Sequence, residues 1–368
     1  MKITKYYRII PIFTVVLTSL LFLNQSLFAS QANTLVVTGW DVYGDPNHPG
    51  KTIGFKSFEK KTGVNIQFKP LSNLDDIVSA AESSEYYDIF IISNEGIQIL
   101  HDMGLVNPLN LSELPNYQNL HHNLKYSEWS QFESRIYAVP WAWGPTGLMY
   151  DKQLVNNSNS WEMLWNPKYK GKVAMWDDIS MIWTTALALG YKNVYSLTRT
   201  QLDNVKNKLF EFNDLSPLYY KGGGDEITLA RNGKIVVFNR WYDPSERLKA
   251  NGKNFGMIIP KEGAVGMFDS YLISKNSNQS SLAHQFINHQ ISPEVQQQMV
   301  KFTGLAPANI ETLSLLKPEV IKALHLDNPD YFNQMLLWNH MPRKNLYEKV
   351  MQAVRKDFKQ KNKSTQVE

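Results

Sequence analysis

The 368-residue chain contains no cysteine. That excludes disulfides, a thiol nucleophile, thiolate metal sites and a lipidated cysteine after an export signal. A zero count alone does not specify the redox compartment. Charge of one sign is also missing. The formal net charge of +4 owes three units to Lys2, Lys5 and Arg8, and beyond residue 32 the chain carries 35 basic against 34 acidic residues. A nearly neutral chain has no basic field with which to hold nucleic acid, so no nucleic-acid partner is expected. The common catalytic signatures are absent too: there is no G-x-S-x-G, no G-x-x-x-x-G-K-[ST] and no H-E-x-x-H. Lys221-Gly222-Gly223-Gly224 is glycine-rich without the lysine placement of a phosphate loop. His121-His122 and the His284/His289 pair lack metal-ligand spacing and read as ordinary surface histidines. Asp177-Asp178 are paired acids, but sequence neighbours point in different directions and nothing else completes a mechanism. The expectation is a non-enzyme with no catalytic residues, no metal and no cofactor.

Long apolar runs are scarce as well. The one at the N-terminus, Ile9 to Leu23, follows a basic segment and is short for a transmembrane helix. Ser30-Gln31-Ala32 fits a small-x-small cleavage site, so residues 1–32 read as a cleavable signal peptide and the mature chain as starting near Asn33. With no cysteine to lipidate and no stop-transfer pattern, the mature protein is expected to be soluble and periplasmic.

What is present describes a folded protein long enough for two domains: 43% apolar, 20% charged and 12% aromatic residues, including ten Trp and eighteen Tyr. Strand-like Thr34–Gly39 is followed by a helical face on Ile53, Phe55 and Phe58, closed by Gly63. Val64–Phe68 alternates as a strand, Asp75–Ser83 reads as a helix, Tyr87–Ile92 as a strand and Ile97–Met103 as a helix. This alternation predicts a mostly parallel, helix-covered sheet. A second α/β run begins with the stretch Trp165–Gly190. There a Pro/Gly turn leads into a strand at Lys172–Trp176, then Asp177 and Asp178, either able to cap a helix from Ile179 to Leu189. Further helices are expected at 202–212, 281–288 and 293–302, strands at 235–238, 254–260 and 268–273, and helix thereafter to about Phe358.

In chain order, TGWDVY, FEKKTGVNIQF, YDIFIIS, YAVPWAWGPTGLMYD, WEMLWNPKYKGKV, MWDD and FTGLAPAN span essentially the whole mature chain. As a collinear set they resemble the periplasmic polyamine-binding (spermidine/putrescine) proteins of ABC importers. The resemblance implies an α/β, two-lobed periplasmic binding protein fold (type II), each lobe a mostly parallel sheet flanked by helices, joined by crossing hinge strands. It places lobe 1 at 33–143 and 267–312 and lobe 2 at 144–266 and 313–368. It also implies a monomer that carries a small amine ligand to a permease in the inner membrane.

A polyamine requires separated carboxylates for its ammonium groups and aromatic faces for its methylenes and cation–π contact. By the resemblance, Trp40 and Tyr43 match an aromatic pair, and Asp178 and Asp269 match amine-binding carboxylates. Other positions depart from the family's pattern. A second carboxylate falls at Met181, and a glutamate falls at Val42, beside Asp41. An aromatic falls at Glu95, which could restore a carboxylate from another direction. Two tryptophan positions carry Phe238 and Met267, and a glutamine position carries Asn339 after Trp338. Arg240 and Trp241 stand where small residues are usual. An arginine in the cleft could hold a carboxylate bidentately, which opens a ligand with both amine and acid groups. A further alternative is ferric iron on Tyr219-Tyr220, which resemble the tyrosine pairs of related iron-binding proteins. A secreted hydrolase is a third, lacking a visible nucleophile.

Overall fold

The computed structural model describes residues 34–40, 43–44, 52–71, 73–156, 159–221, 225–241, 252–328, 330–339 and 341–365. The expected signal peptide and its cleavage region, Asp41, Val42 and Gly222 to Gly224 lie outside the described residues.

The strand Thr34–Trp40 runs parallel between Asn65–Leu71 and Ile89–Ser93. The helices Phe55–Thr62, Leu74–Glu82 and Asn94–Asp102 alternate with these strands. Local chemistry sets their ends. Gly63, at φ 73°, closes the first helix by donating its N–H to the Glu59 carbonyl, and the Asn73 side chain accepts from Asp76 N at 2.8 Å to start the second.

Two long strands cross from this half of the molecule to the other. Ala264–Ser274 pairs antiparallel with Ile89–Ser93 on one edge and with Val139–Asp151 on the other. Val139–Asp151 then pairs antiparallel with Val237–Trp241, which lies parallel to Val173–Trp176, itself parallel to Leu218–Tyr220. The result is two mostly parallel half-sheets joined by an antiparallel pair, as the resemblance implies. Every residue of both crossing strands is buried. This explains why their sequences read as apolar runs and not as an alternation.

The apolar cores divide along the same lines. One cluster draws on residues from Leu35 to Trp143 and from Met267 to Met335. Another draws on Leu148 to Val265 and Tyr347 to Val354. The change-over falls between Trp143 and Leu148 on one crossing strand and between Val265 and Met267 on the other. The region after residue 312 differs from expectation. Leu324, Tyr331, Phe332 and Met335 pack into the first cluster, so the C-terminal part is shared between the halves. Nor is it all helix. Pro318 and Pro342 punctuate it, Met335–Leu337 pairs with Ala264–Gly266 as a strand, and one long helix, Lys344–Thr365, runs beyond the expected end. Among the described residues no helix is long and apolar enough to cross a membrane.

Gly147 marks the tightest approach on the crossing strand. A Cβ there would meet Met257 Cε at 2.2 Å and the Ile258 carbonyl oxygen at 2.8 Å. The methionine can move; the paired backbone cannot. Gly147→Ala is therefore expected to destabilise the fold by about 1–3 kcal/mol, seen as a lower urea midpoint with unchanged slope.

Candidate functional site

A cavity of about 570 Å³ lies between the two halves. Part of its lining comes from the carboxyl ends of strands: Trp40, Trp176 and Trp241 each end one, Arg240 precedes Trp241, and Glu95 stands just past Ser93. That is where open α/β sheets gather ligand contacts.

Asp269 is the best-anchored acid. It sits on the crossing strand Ala264–Ser274 at a register shift against Val139–Asp151. Its Oδ1 accepts from Trp40 Nε1 at 3.0 Å, and its Oδ2 accepts from the Tyr43 hydroxyl. Burial pushes its carboxyl up to about 6, and these two hydrogen bonds limit the rise. Tyr43 is itself buried and meets Trp141 edge-on at 5.3 Å. The sequence motif TGWDVY thus supplies the two donors that orient this carboxylate.

Glu95 stands in the first turn of the helix Asn94–Asp102. Its Oε2 is screened from solvent and has no hydrogen-bond partner. Burial drives its carboxyl up to about 8, and the nearby Asp269 adds to the rise. Across the cavity, Asp178 accepts from Ser180 N at 2.9 Å and from the Ser180 hydroxyl, all through Oδ1. That braces the start of the helix Ser180–Ala188 and leaves Oδ2 for other contacts. Its carboxyl also rises to about 6 through burial. Its neighbour Asp177 turns the other way, to Arg355 Nε at 2.8 Å on the C-terminal helix.

Arg240 lines the cavity, and Glu226 meets its Nε at 2.6 Å. The positive charge is therefore answered within the protein. The aromatic wall on this side is made by Trp176, Trp241 and Trp338. Trp241 meets Trp176 edge-on at 6.2 Å and Trp338 at 5.3 Å. Asn94 ties the wall to the first half: its amide donates to the Trp338 carbonyl and accepts from Phe268 N at 3.3 Å.

Six of the eight residues expected to bind ligand thus line one cavity: Trp40, Tyr43, Glu95, Asp178, Arg240 and Asp269. Two do not. Phe238 is fully buried and packs on Phe255 at 5.9 Å, because it lies too deep in its strand; only the final residues of that strand reach the cavity. Asn339 is exposed and lies one position beyond Trp338, which takes the wall position. Met181, where a carboxylate is expected, is fully buried in the second core, whereas Met267 does line the cavity. The tyrosines considered for iron turn elsewhere. Tyr219 donates to Asn213 Oδ1 at 2.8 Å and Tyr220 to the Asn239 carbonyl, and neither lines the cavity. Nor is His284 a surface residue; it is buried, accepting from Asn110 N at 2.9 Å. Sequence reasoning missed Trp176 and treated Trp241 and Trp338 only as neighbours. Their position at strand ends was the available signal.

Residues 55–326 match the bacterial extracellular solute-binding protein family. The spermidine/putrescine-binding periplasmic protein of Escherichia coli (strain K12) is 24% identical over 297 residues, covering 79% of this chain and 82% of that protein. The solved spermidine/putrescine ABC transporter substrate-binding protein PotD from Streptococcus pneumoniae superposes with a TM-score of 0.75 at 20% identity, covering 89% of this chain and 99% of the other. A solved GABA receptor superposes with a TM-score of 0.66 at 19% identity, covering 88% and 98%. The likeness to these solved structures establishes the two-lobed α/β fold.

The raised carboxyl of Glu95 has a pH signature. Because its folded value, about 8, exceeds the ordinary 4.5, the protonated acid favours the folded state. That contribution is complete below about 4.5 and is lost as pH rises through about 8. Glu95→Gln is expected to raise the melting temperature of ligand-free protein at pH 9, by an amount on the order of a few kcal/mol in stability, with the gain vanishing toward pH 4.

Proposed function

The chain belongs to the bacterial extracellular solute-binding protein family, and on that premise we propose that it is no enzyme and captures a polyamine such as putrescine or spermidine. The observation that carries this reading is the charge balance of the cavity. Asp269, Glu95 and Asp178 face one lining cation among the described residues, Arg240, and that cation is paired with Glu226. A cavity lined by one buried and two half-buried acids, with no free compensating charge among the described residues, favours a ligand that brings its own cations. The indole faces of Trp40, Trp176, Trp241 and Trp338 suit both the methylene chain and cation–π contact with its ends.

In this reading Asp269 takes one ammonium group and Asp178 takes another from the opposite half. The ligand bridges the two cores, and the crossing strands flex between Trp143 and Leu148 and between Val265 and Met267 to close the cavity around it. The loaded protein, a periplasmic monomer released from its signal peptide, delivers the amine to an ABC permease.

A second reading is favoured by Arg240 itself. If Glu226 yields, the guanidinium could pair with a ligand carboxylate, giving an amino-acid-like ligand of the kind named for the GABA receptor to which the fold is similar. The ion pair at 2.6 Å makes this the weaker of the two.

Titration calorimetry on protein unfolded and refolded to strip ligand, with putrescine, spermidine, GABA and the basic amino acids, separates the readings. Polyamine binding supports the first; binding of GABA or an amino acid with no response to either polyamine replaces it with the second. Asp269→Ala and Asp178→Ala should each weaken amine binding by at least about 30-fold, since each leaves a desolvated ammonium without its acceptor.

A further inference from the structure

Two of the cavity's acids belong to the same half and act on one another. Ser93 pairs directly with Asp269 across the sheet, and Glu95 follows two residues later at the head of the next helix. Asp269 has both oxygens engaged by Trp40 and Tyr43. Glu95 Oε2 is screened and makes no hydrogen bond, and the interactions of the carboxyl with Ser93 and its own backbone only partly offset the effect of burial. Two ionised carboxylates on one desolvated wall repel each other unless a cation stands between them.

Among the described residues, no such cation comes from the surrounding elements. The helix Leu74–Glu82, packed against that of Glu95, brings Asp75 and Asp76 in its first turn. Asp75 is exposed and lies 3.9 Å from Lys344, and Asp76 is bonded by Asn73. The crossing strand brings Asp269. From the second half come Asp178, Arg240 with its partner Glu226, and the phenol of Tyr195, which donates to the Leu336 carbonyl at 3.0 Å.

We propose that Glu95 and Asp269 form a paired-carboxylate subsite for a single ammonium group, and that an amine enters it by displacing the proton of Glu95. The balance is simple: the neutral acid and the ammonium ion give a carboxylate–ammonium pair, and one proton leaves for solvent. Glu95 is thereby a specificity-determining residue, because a ligand without a cationic end cannot drive off that proton. The subsite holds its acid neutral while empty, which spares the open cavity a second buried charge. This rests on the amine-binding reading, and it explains how a first half with an extra acid can tolerate being empty.

The test is calorimetry of the full mature chain with putrescine at pH 7 in buffers of different ionisation heat. Release of about one proton per amine bound is expected in the wild type and close to none in Glu95→Gln, with release kept in Glu95→Asp. Wild-type affinity should rise roughly tenfold per pH unit between 6.5 and 8 and level off above, whereas that of Glu95→Gln should stay flat from pH 7 upward. Amine binding without proton release, or release unchanged in Glu95→Gln, would overturn the subsite while leaving the transport reading intact. If neither putrescine nor spermidine binds, the polyamine reading itself fails. Carbon-13 titration of the Glu95 carboxyl in the ligand-free chain then still decides the neutral acid: a midpoint near 8 supports it, and one near 4.5 sinks it.

Discussion

Everything in this molecule depends on two buried strands lying antiparallel side by side. Val139–Asp151 and Ala264–Ser274 are each hydrogen-bonded to the other and to a half-sheet on its outer edge. Because their backbones are satisfied on both sides and their faces covered, neither strand can slip without exposing polar groups on both halves. The pair therefore fixes the register of the whole sheet, and the chain passes between the cores at two short segments of this pair and once more between Met335 and Tyr347. It also places Asp269, at the register shift, beside the cavity and within reach of Trp40 and Tyr43.

The cavity shows how similar acids acquire different work. Asp177 and Asp178 are adjacent in sequence, yet one is paired with Arg355 on the outer helix and the other faces inward, braced by Ser180. Position at the end of a short strand separates them, since successive side chains point to opposite sides. Glu226 and Arg240 make a further division: a buried acid answers a cavity-lining base, so the arginine does not cancel the acids that face the ligand space.

Much of this was legible in the chain. The alternating strands and helices, the two-lobed arrangement and the choice of Trp40, Tyr43 and Asp269 as cavity residues all follow from pattern or from resemblance. Three features were not. Phe238 and Trp241 lie three residues apart on one strand, and nothing in the sequence says where along a strand the core stops and the cavity begins. The stretch after residue 312 reads as helix because its apolar spacing suits one; its prolines and the free edge at Ala264–Gly266 turn part of it into a strand. Met181 looks like a lost ligand only by resemblance. In the structure it is simply core, filling the space beneath the helix that follows Asp178.

The long C-terminal helix carries a consequence for how the chain folds. Tyr347, Val350, Met351 and Val354 complete the second core, and Arg355 holds Asp177 at the cavity's rear. The first core equally requires residues from Met267 to Met335. Each interior is therefore completed by residues far along the chain from those that begin it, so neither half is a self-contained early folding unit.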